Sequence, residues 1–169
     1  IPGPGFSGAE SQLLELAYGL KKRNYNITLC CLGGEGEFLN RALKLNIKCI
    51  IINRITKFDF LRQIKYFWIV NQNQYSIIIS FTSVANNMTQ IIKIFSPFHK
   101  FIHFAGERGR DFNKNKIRIY FNSILSRFSD LIISNSKTQK QKLINYENID
   151  PSKIKVIYNG FDLNKIKTI

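Results

Sequence analysis

The sequence predicts an α/β fold: a parallel sheet with helices on both faces. Helical and extended patterns alternate at short spacing along the whole chain, as strands joined by crossover helices require. The runs "CIIIN" and "SIIIS" carry no polar alternation, so they predict central strands buried on both sides. A length of 169 residues suits one domain, or one half of a two-domain protein.

The elements follow in order. From Ala9 to Arg23 the apolar residues Leu13, Leu14, Leu16, Ala17 and Leu20 recur at helical spacing, and "KKRN" sets positive charge at the helix's negative end. "NITLCCL" reads as a strand, "EFLNRALKLN" as a helix and "IKCIII" as a strand. Phe58 to Asn71 is an aromatic-rich helix expected to put Lys and Arg on its other face. The strand "YSIIISF" leads to the helix "SVANNMTQIIKIF", which Ser96 and Pro97 end. Then come the strand "KFIHFAG", the helix "NKIRIYFNSILSRF", the strand "DLIISNS", the helix "KTQKQKLINY" and the strand "IKVIYNG". In such a sheet ligands gather at the carboxyl ends of the strands, which selects the loops "GPGFSGAE", "LGGEGE", "SFTSVANN", "FAGERGR" and "SNSKTQ".

Composition narrows the function classes. Apolar residues fall in short runs broken by turn signals, and no run approaches the roughly 18 needed to cross a membrane. The three cysteines, Cys30, Cys31 and Cys49, include an adjacent pair and make a poor disulfide framework, so a cytoplasmic setting is expected. His99 and His103 have no carboxylates or thiols at ligand spacing, and no metal is expected. The net charge of +14 favours polyanions, but richness in Lys, Asn and Ile also fits an AT-biased genome. The basic residues are dispersed, and no nucleic-acid-binding signature accompanies them, so no nucleic acid partner is expected.

Gly3, Gly5 and Gly8 fall at the G-x-G-x-x-G spacing of a dinucleotide-binding turn. That fingerprint needs a preceding strand and an acidic residue about 20 residues further on, at the end of the second strand. The second strand instead ends "LCCLGG", and Glu10 puts negative charge where a pyrophosphate would sit. A nicotinamide- or flavin-binding oxidoreductase is therefore disfavoured but stays open. So does a non-enzymatic module binding an anionic polymer.

Three segments resemble a known family. "SGAESQLLELAYGLKKRNYNITLCCL" is similar to the opening of the family 4 glycosyltransferases of GT-B fold, with their Gly-Gly-Ala-Glu loop. "SRFSDLIISNS" resembles that family's arginine, Ser-Asp pair, apolar strand and serine, and "IKVIYNGFD" its Val-Ile-x-Asn-Gly-Ile-Asp segment. The three occur in the family's order across essentially the whole chain. Ser7 departs from the pattern, standing where the family usually has glycine.

The resemblance implies one half of a GT-B enzyme: a Rossmann-like N-terminal, acceptor-side domain over residues 1–160 with its first strand truncated. Residues 161–169 would begin the interdomain linker, and a C-terminal donor-binding domain would be absent, leaving the piece inactive alone. It further implies a hexosyltransferase-type reaction, retaining and metal-independent, from a nucleotide-sugar donor, with no cofactor. The acceptor would be a glycan or lipid-linked saccharide, as in lipopolysaccharide or other cell-surface polysaccharide synthesis. The basic, aromatic helix "KFDFLRQIKYFWIV" would suit a further partner, an anionic membrane face, with packing of its apolar residues on the sheet as the plain alternative. Such a partner would place the protein peripherally at the inner face of the cytoplasmic membrane.

The same resemblance assigns candidate residues. Ser7 and Gly8 would bind the donor diphosphate, Gly8 by letting the backbone approach and Ser7 through its hydroxyl. Glu107 would orient an acceptor hydroxyl or take its proton, and Arg108 would bind phosphate. Glu10, Thr82, Ser83, Asn86 and Arg110 are candidates for acceptor contacts. Some have a plain alternative: Glu10 as a helix N-terminal charge, Ser83 as an N-cap, and Glu107 with its arginines as a solvated ion pair. Asn135 and Ser136 share that ambiguity, and His103 is expected to be a packed core or sheet-edge residue rather than a catalytic one.

Overall fold

Six parallel strands alternate with six α-helices in the computed structural model, which describes residues 7–33, 36–53, 60–96, 100–107 and 116–160. The order is α1 (Gly8–Lys22), β1 (Thr28–Cys31), α2 (Glu37–Lys44), β2 (Lys48–Ile51), α3 (Phe60–Asn73), β3 (Ile77–Phe81) and α4 (Ser83–Phe95). There follow β4 (Ile102–Glu107), α5 (Lys116–Ser126), β5 (Leu131–Ser134), α6 (Lys137–Asn145), a single turn of 3-10 helix (Pro151–Lys153) and β6 (Ile154–Val156). The helix and strand patterns read from the sequence all reappear, within a few residues at each end.

Local chemistry sets the boundaries. Basic Lys21 and Lys22 occupy the last turn of α1, and Asn24 just beyond it takes a left-handed φ of 65°. Asn46 does the same after α2 with φ 53°. Asn tolerates this conformation because its short amide bonds locally, so the "RN" and "LN" endings are stop signals.

Among the described residues the strands form two ladders, β1–β2 and β3–β4–β5–β6, with every pairing parallel. A shared core joins them: Ile52, Tyr66, Val70, Met88, Ile92 and Phe101 pack together, with Cys30 and Ile50 of the small ladder and Ile78 of the large one against them. Leu14 and Ala17 of α1 cover Leu29, Ala42 and Ile47, and Leu143 of α6 packs on Ala105, Ile132, Ile149 and Ile154.

Two expectations change. Among the described residues β2 and β3 each stand at the end of a ladder; β2 is only half-buried, and β3 runs from Ile77, 49% exposed, to buried Ser80 and Phe81. In α3 the expected separation of faces also fails: Lys65 is exposed, but Arg62 is not. Arg62 is buried with Tyr66 and Val70, its Nη1 donating to Leu32 O at 3.0 Å, while Phe60, Leu61, Ile64 and Trp68 are exposed.

Candidate active site

Strand β4 carries Glu107 to the carboxyl edge of the large ladder, opposite Ser134 of β5. Gly106 just before it is needed for close approach, because a Cβ there would stand 3.0 Å from Ser80 O of β3. Glu107 Oε1 accepts a hydrogen bond from Asn86 Nδ2 at 2.7 Å. Asn86 lies in the second turn of α4, is 1% exposed, and donates also to Gly106 O at 3.3 Å. Its carbonyl accepts from Ser80 Oγ at 2.6 Å. The candidate acceptor residue Asn86 thus meets protein groups on both sides of its amide.

Thr82 bridges β3 and α4 and is the N-cap, accepting from Ala85 N at 3.3 Å. The cap therefore falls one residue before Ser83. Thr82 has φ 131°, a region costly for a β-branched side chain and often found at functional sites. Ser83 Oγ accepts from Arg118 Nη2 at 3.0 Å, tying the start of α4 to α5.

At the start of α1, Ser7 and Glu10 make a capping box. Ser7 N donates to Glu10 Oε2 at 2.6 Å, and Glu10 N donates to Ser7 Oγ at 3.3 Å. Glu10 is 5% exposed, so its carboxylate serves the helix start. Among the described residues a Cβ on Gly8 would meet nothing within 4 Å, so none of their packing demands glycine there. Gln12 Nε2 donates to Gly160 O at 2.9 Å, which ties α1 to the "YNG" segment after β6. Ser136 is the N-cap of α6, accepting from Gln139 N at 3.0 Å. Arg108, Arg110, His99, Gly3 and Gly5 lie outside the described residues.

His103 is fully buried in β4. Its Nε2 lies 2.7 Å from Ser80 Oγ and its Nδ1 3.2 Å from Ser129 Oγ, while its backbone N donates to Asp130 Oδ2 at 2.7 Å. Burial, reinforced by the Lys93 ammonium and opposed by Asp130, lowers its pKa to about 4, so the ring is neutral at ordinary pH. Asp130 pairs with Lys93. The Ser-Asp pair of "SRFSDLIISNS" therefore holds His103, one residue by side chain to ring and the other by carboxylate to backbone. Burial, then the neighbouring Cys31, pushes the Cys30 thiol up to about 12, and burial takes Cys31 to about 11; both are inert at neutral pH.

The structure thus brings Asn86 and Glu107 together and joins Ser7 to Glu10. The sequence reading missed Ser80, Gln90 and Ser129, buried polar residues that belong to the same network. A signal was available: Asn86 and Gln90 sit four apart in an apolar helix, and polar side chains on a buried face need partners.

A Rossmann-like half with a polar carboxyl-edge rim is the architecture of GT-B glycosyltransferases. The model of Glycosyltransferase Family 4 matches residues 6–165, and the chain belongs to that family. The solved structure of Anabaena HepE in complex with UDP-glucose matches with a TM-score of 0.78 and 21% identity, covering 97% of this chain and 43% of that one. A glycosyltransferase from Rickettsia africae matches with a TM-score of 0.77 and 22% identity, covering 95% of this chain and 42% of that one. This chain therefore spans less than half the length of those proteins, and at such identities the likeness is one of fold. No curated protein sequence matches it. No helix among the described residues is long and apolar enough to cross a membrane.

Proposed function

We propose that this chain is the N-terminal, acceptor-side half of a hexosyltransferase that moves a sugar from a nucleotide-sugar donor to a glycan or lipid-linked saccharide. The domain covers residues 1–160 and the linker begins at 161, leading to a second, donor-binding domain that the reaction also requires. Topology supports a further strand ahead of α1. Right-handed crossover would set it beside β1 on the side away from β2, between the two ladders. The junction of that strand with β3 would be the topological switch point, where ligands bind in open α/β sheets.

The observation that carries the reading is Glu107, a carboxylate held by Asn86 at the carboxyl edge of a buried strand in a family 4 domain. There it would accept a proton from, or orient, an acceptor hydroxyl. Arg108 next in sequence and the N–H groups at the start of α1, beside Gly8, would offset charge on the departing diphosphate. HepE's complex with UDP-glucose supports a uridine diphosphate sugar as the first donor to try. Retention of configuration without a metal is the form that agrees with the family resemblance. The test is to express the complete gene product and assay transfer from a panel of nucleotide sugars to lipid-linked acceptors. Transfer from at least one donor supports the reading; donor hydrolysis or transfer from none counts against it.

A second reading concerns location, at the inner face of the cytoplasmic membrane. Phe60, Leu61, Ile64 and Trp68 form one exposed stripe on α3, with Lys65 beside it, on a chain of net charge +14. Such a face suits an anionic bilayer surface. Sedimentation with phosphatidylglycerol vesicles, lost with phosphatidylcholine and reduced by Trp68→Ser, supports it; no sedimentation with either lipid contradicts it.

A further inference from the structure

We propose that Asn86, Ser80 and His103 are positioning residues for Glu107: a one-way chain of buried hydrogen bonds fixes the Asn86 amide and, through it, the carboxylate. This rests on the reading of Glu107 as the acceptor-side carboxylate.

The direction of the chain is set at its Asn86 end. Asn86 faces two acceptors, Gly106 O and Glu107 Oε1, so its NH2 group points to them and its carbonyl to Ser80. Ser80 has one hydroxyl proton, and the Asn86 carbonyl takes it. Towards His103 Nε2, 2.7 Å away, Ser80 can then only accept, so Nε2 carries the ring proton. A neutral ring leaves Nδ1 bare, and Ser129 Oγ donates to it at 3.2 Å. Ser129, its proton used, accepts from Gln90 Nε2 at 2.8 Å. The chain starts at an amide NH2, which only donates, and ends at a carboxylate, which only accepts. Every link between is thereby oriented.

Gln90, Ser129, His103, Ser80 and Asn86 are each no more than 6% exposed, and they come from α4, the turn before β5, β4 and β3. Water has little access to reorient them, and reversing Ser80, His103 or Ser129 leaves a buried donor or acceptor unmatched; Gln90 Oε1 is buried with no partner among the described residues, so the order is held from the Asn86 side. A network serving packing alone could close within the core. This one ends on the carboxylate at the ladder's carboxyl edge.

The test uses the full-length enzyme with Asn86→Ala and Ser80→Ala, each alone and combined with Glu107→Gln, reading kcat, KM and thermal unfolding. Asn86→Ala is expected to lower kcat roughly tenfold or more with donor KM little changed, and to have almost no further effect when Glu107→Gln is already present. Ser80→Ala is expected to act in the same direction, with Ser80→Thr restoring the rate. Nitrogen NMR of the His103 ring is expected to show the neutral Nε2–H form. Equal kcat losses with and without the Glu107→Gln substitution, or a ring protonated on Nδ1, would overturn the proposal. If Glu107→Gln keeps the wild-type kcat, the catalytic reading of Glu107 is what fails. Positioning is then decided by exchange of the Asn86 side-chain amide protons: faster in Ser80→Ala supports it, unchanged overturns it.

Discussion

Asn86 Nδ2 lies 2.7 Å from Glu107 Oε1 while Asn86 Oδ1 lies 2.6 Å from Ser80 Oγ, so one amide ties α4 to the ends of two strands. Asn86→Asp keeps the shape but sets a second carboxylate against Glu107. It is expected to cost about 1–3 kcal/mol of stability at neutral pH. The deficit should narrow on acidification, as one of the two carboxylates takes a proton. Urea unfolding of both proteins across pH checks this.

Gly106 lies on β4 beside β3, and the atom a Cβ would meet is a backbone oxygen that cannot rotate away. Gly106→Ala should destabilise the protein by about 1–3 kcal/mol and disturb the placement of Glu107. Gly8→Ala is the contrast, since a Cβ there meets no atom of the described residues. Its unfolding should match wild type, and a raised donor KM would report the backbone's approach to the diphosphate.

The His103 ring predicts acid sensitivity. Its folded pKa of about 4 lies below the ordinary 6.5, so between those values the unfolded chain binds more protons and stability rises with pH. The contribution is complete above about pH 6.5 and is lost as pH falls towards 4; about 1.4 kcal/mol per unit makes it of order 3 kcal/mol. Lys93 and Asp130 face the same strand. Asp130 is opposed by its partial burial, yet bonds from the His103 N–H and Lys93 hold its carboxyl below the usual range. It therefore adds to the loss at lower pH still. Denaturant midpoints measured from pH 7 to 4 should fall, and a His103→Gln variant should show a shallower decline.

The capping box predicts a separable effect at α1. Ser7→Ala removes the acceptor for Glu10 N and should cost about 1 kcal/mol, and Ser7→Asp should recover most of it. If the hydroxyl also meets the donor diphosphate, Ser7→Asp will restore stability while raising donor KM, which thermal melting and kinetics distinguish.

The fold was legible because it rests on short-range patterns. Helix α4 could be bounded to within a residue: Thr82 and Ser83 are both capping types, and Pro97 cannot continue a helical run. The depth of β2 and β3 was not legible, since an apolar run does not reveal how many neighbours a strand has. Nor was the face of α3, where Arg62 reaches Leu32 O thirty residues away. Glu107 could be picked out as a carboxylate after a buried strand. Its partners could not, because Ser80, Asn86, His103 and Ser129 come from four segments that only the folded sheet brings together.

The decisive measurement is sugar transfer by the full-length enzyme carrying Glu107→Gln, alongside wild type and with unfolding measured on both. If Glu107 serves the acceptor hydroxyl, wild type transfers sugar and kcat falls roughly 10²–10⁴-fold in the variant, with stability nearly unchanged. A Gln variant that transfers sugar at the wild-type rate would contradict that role.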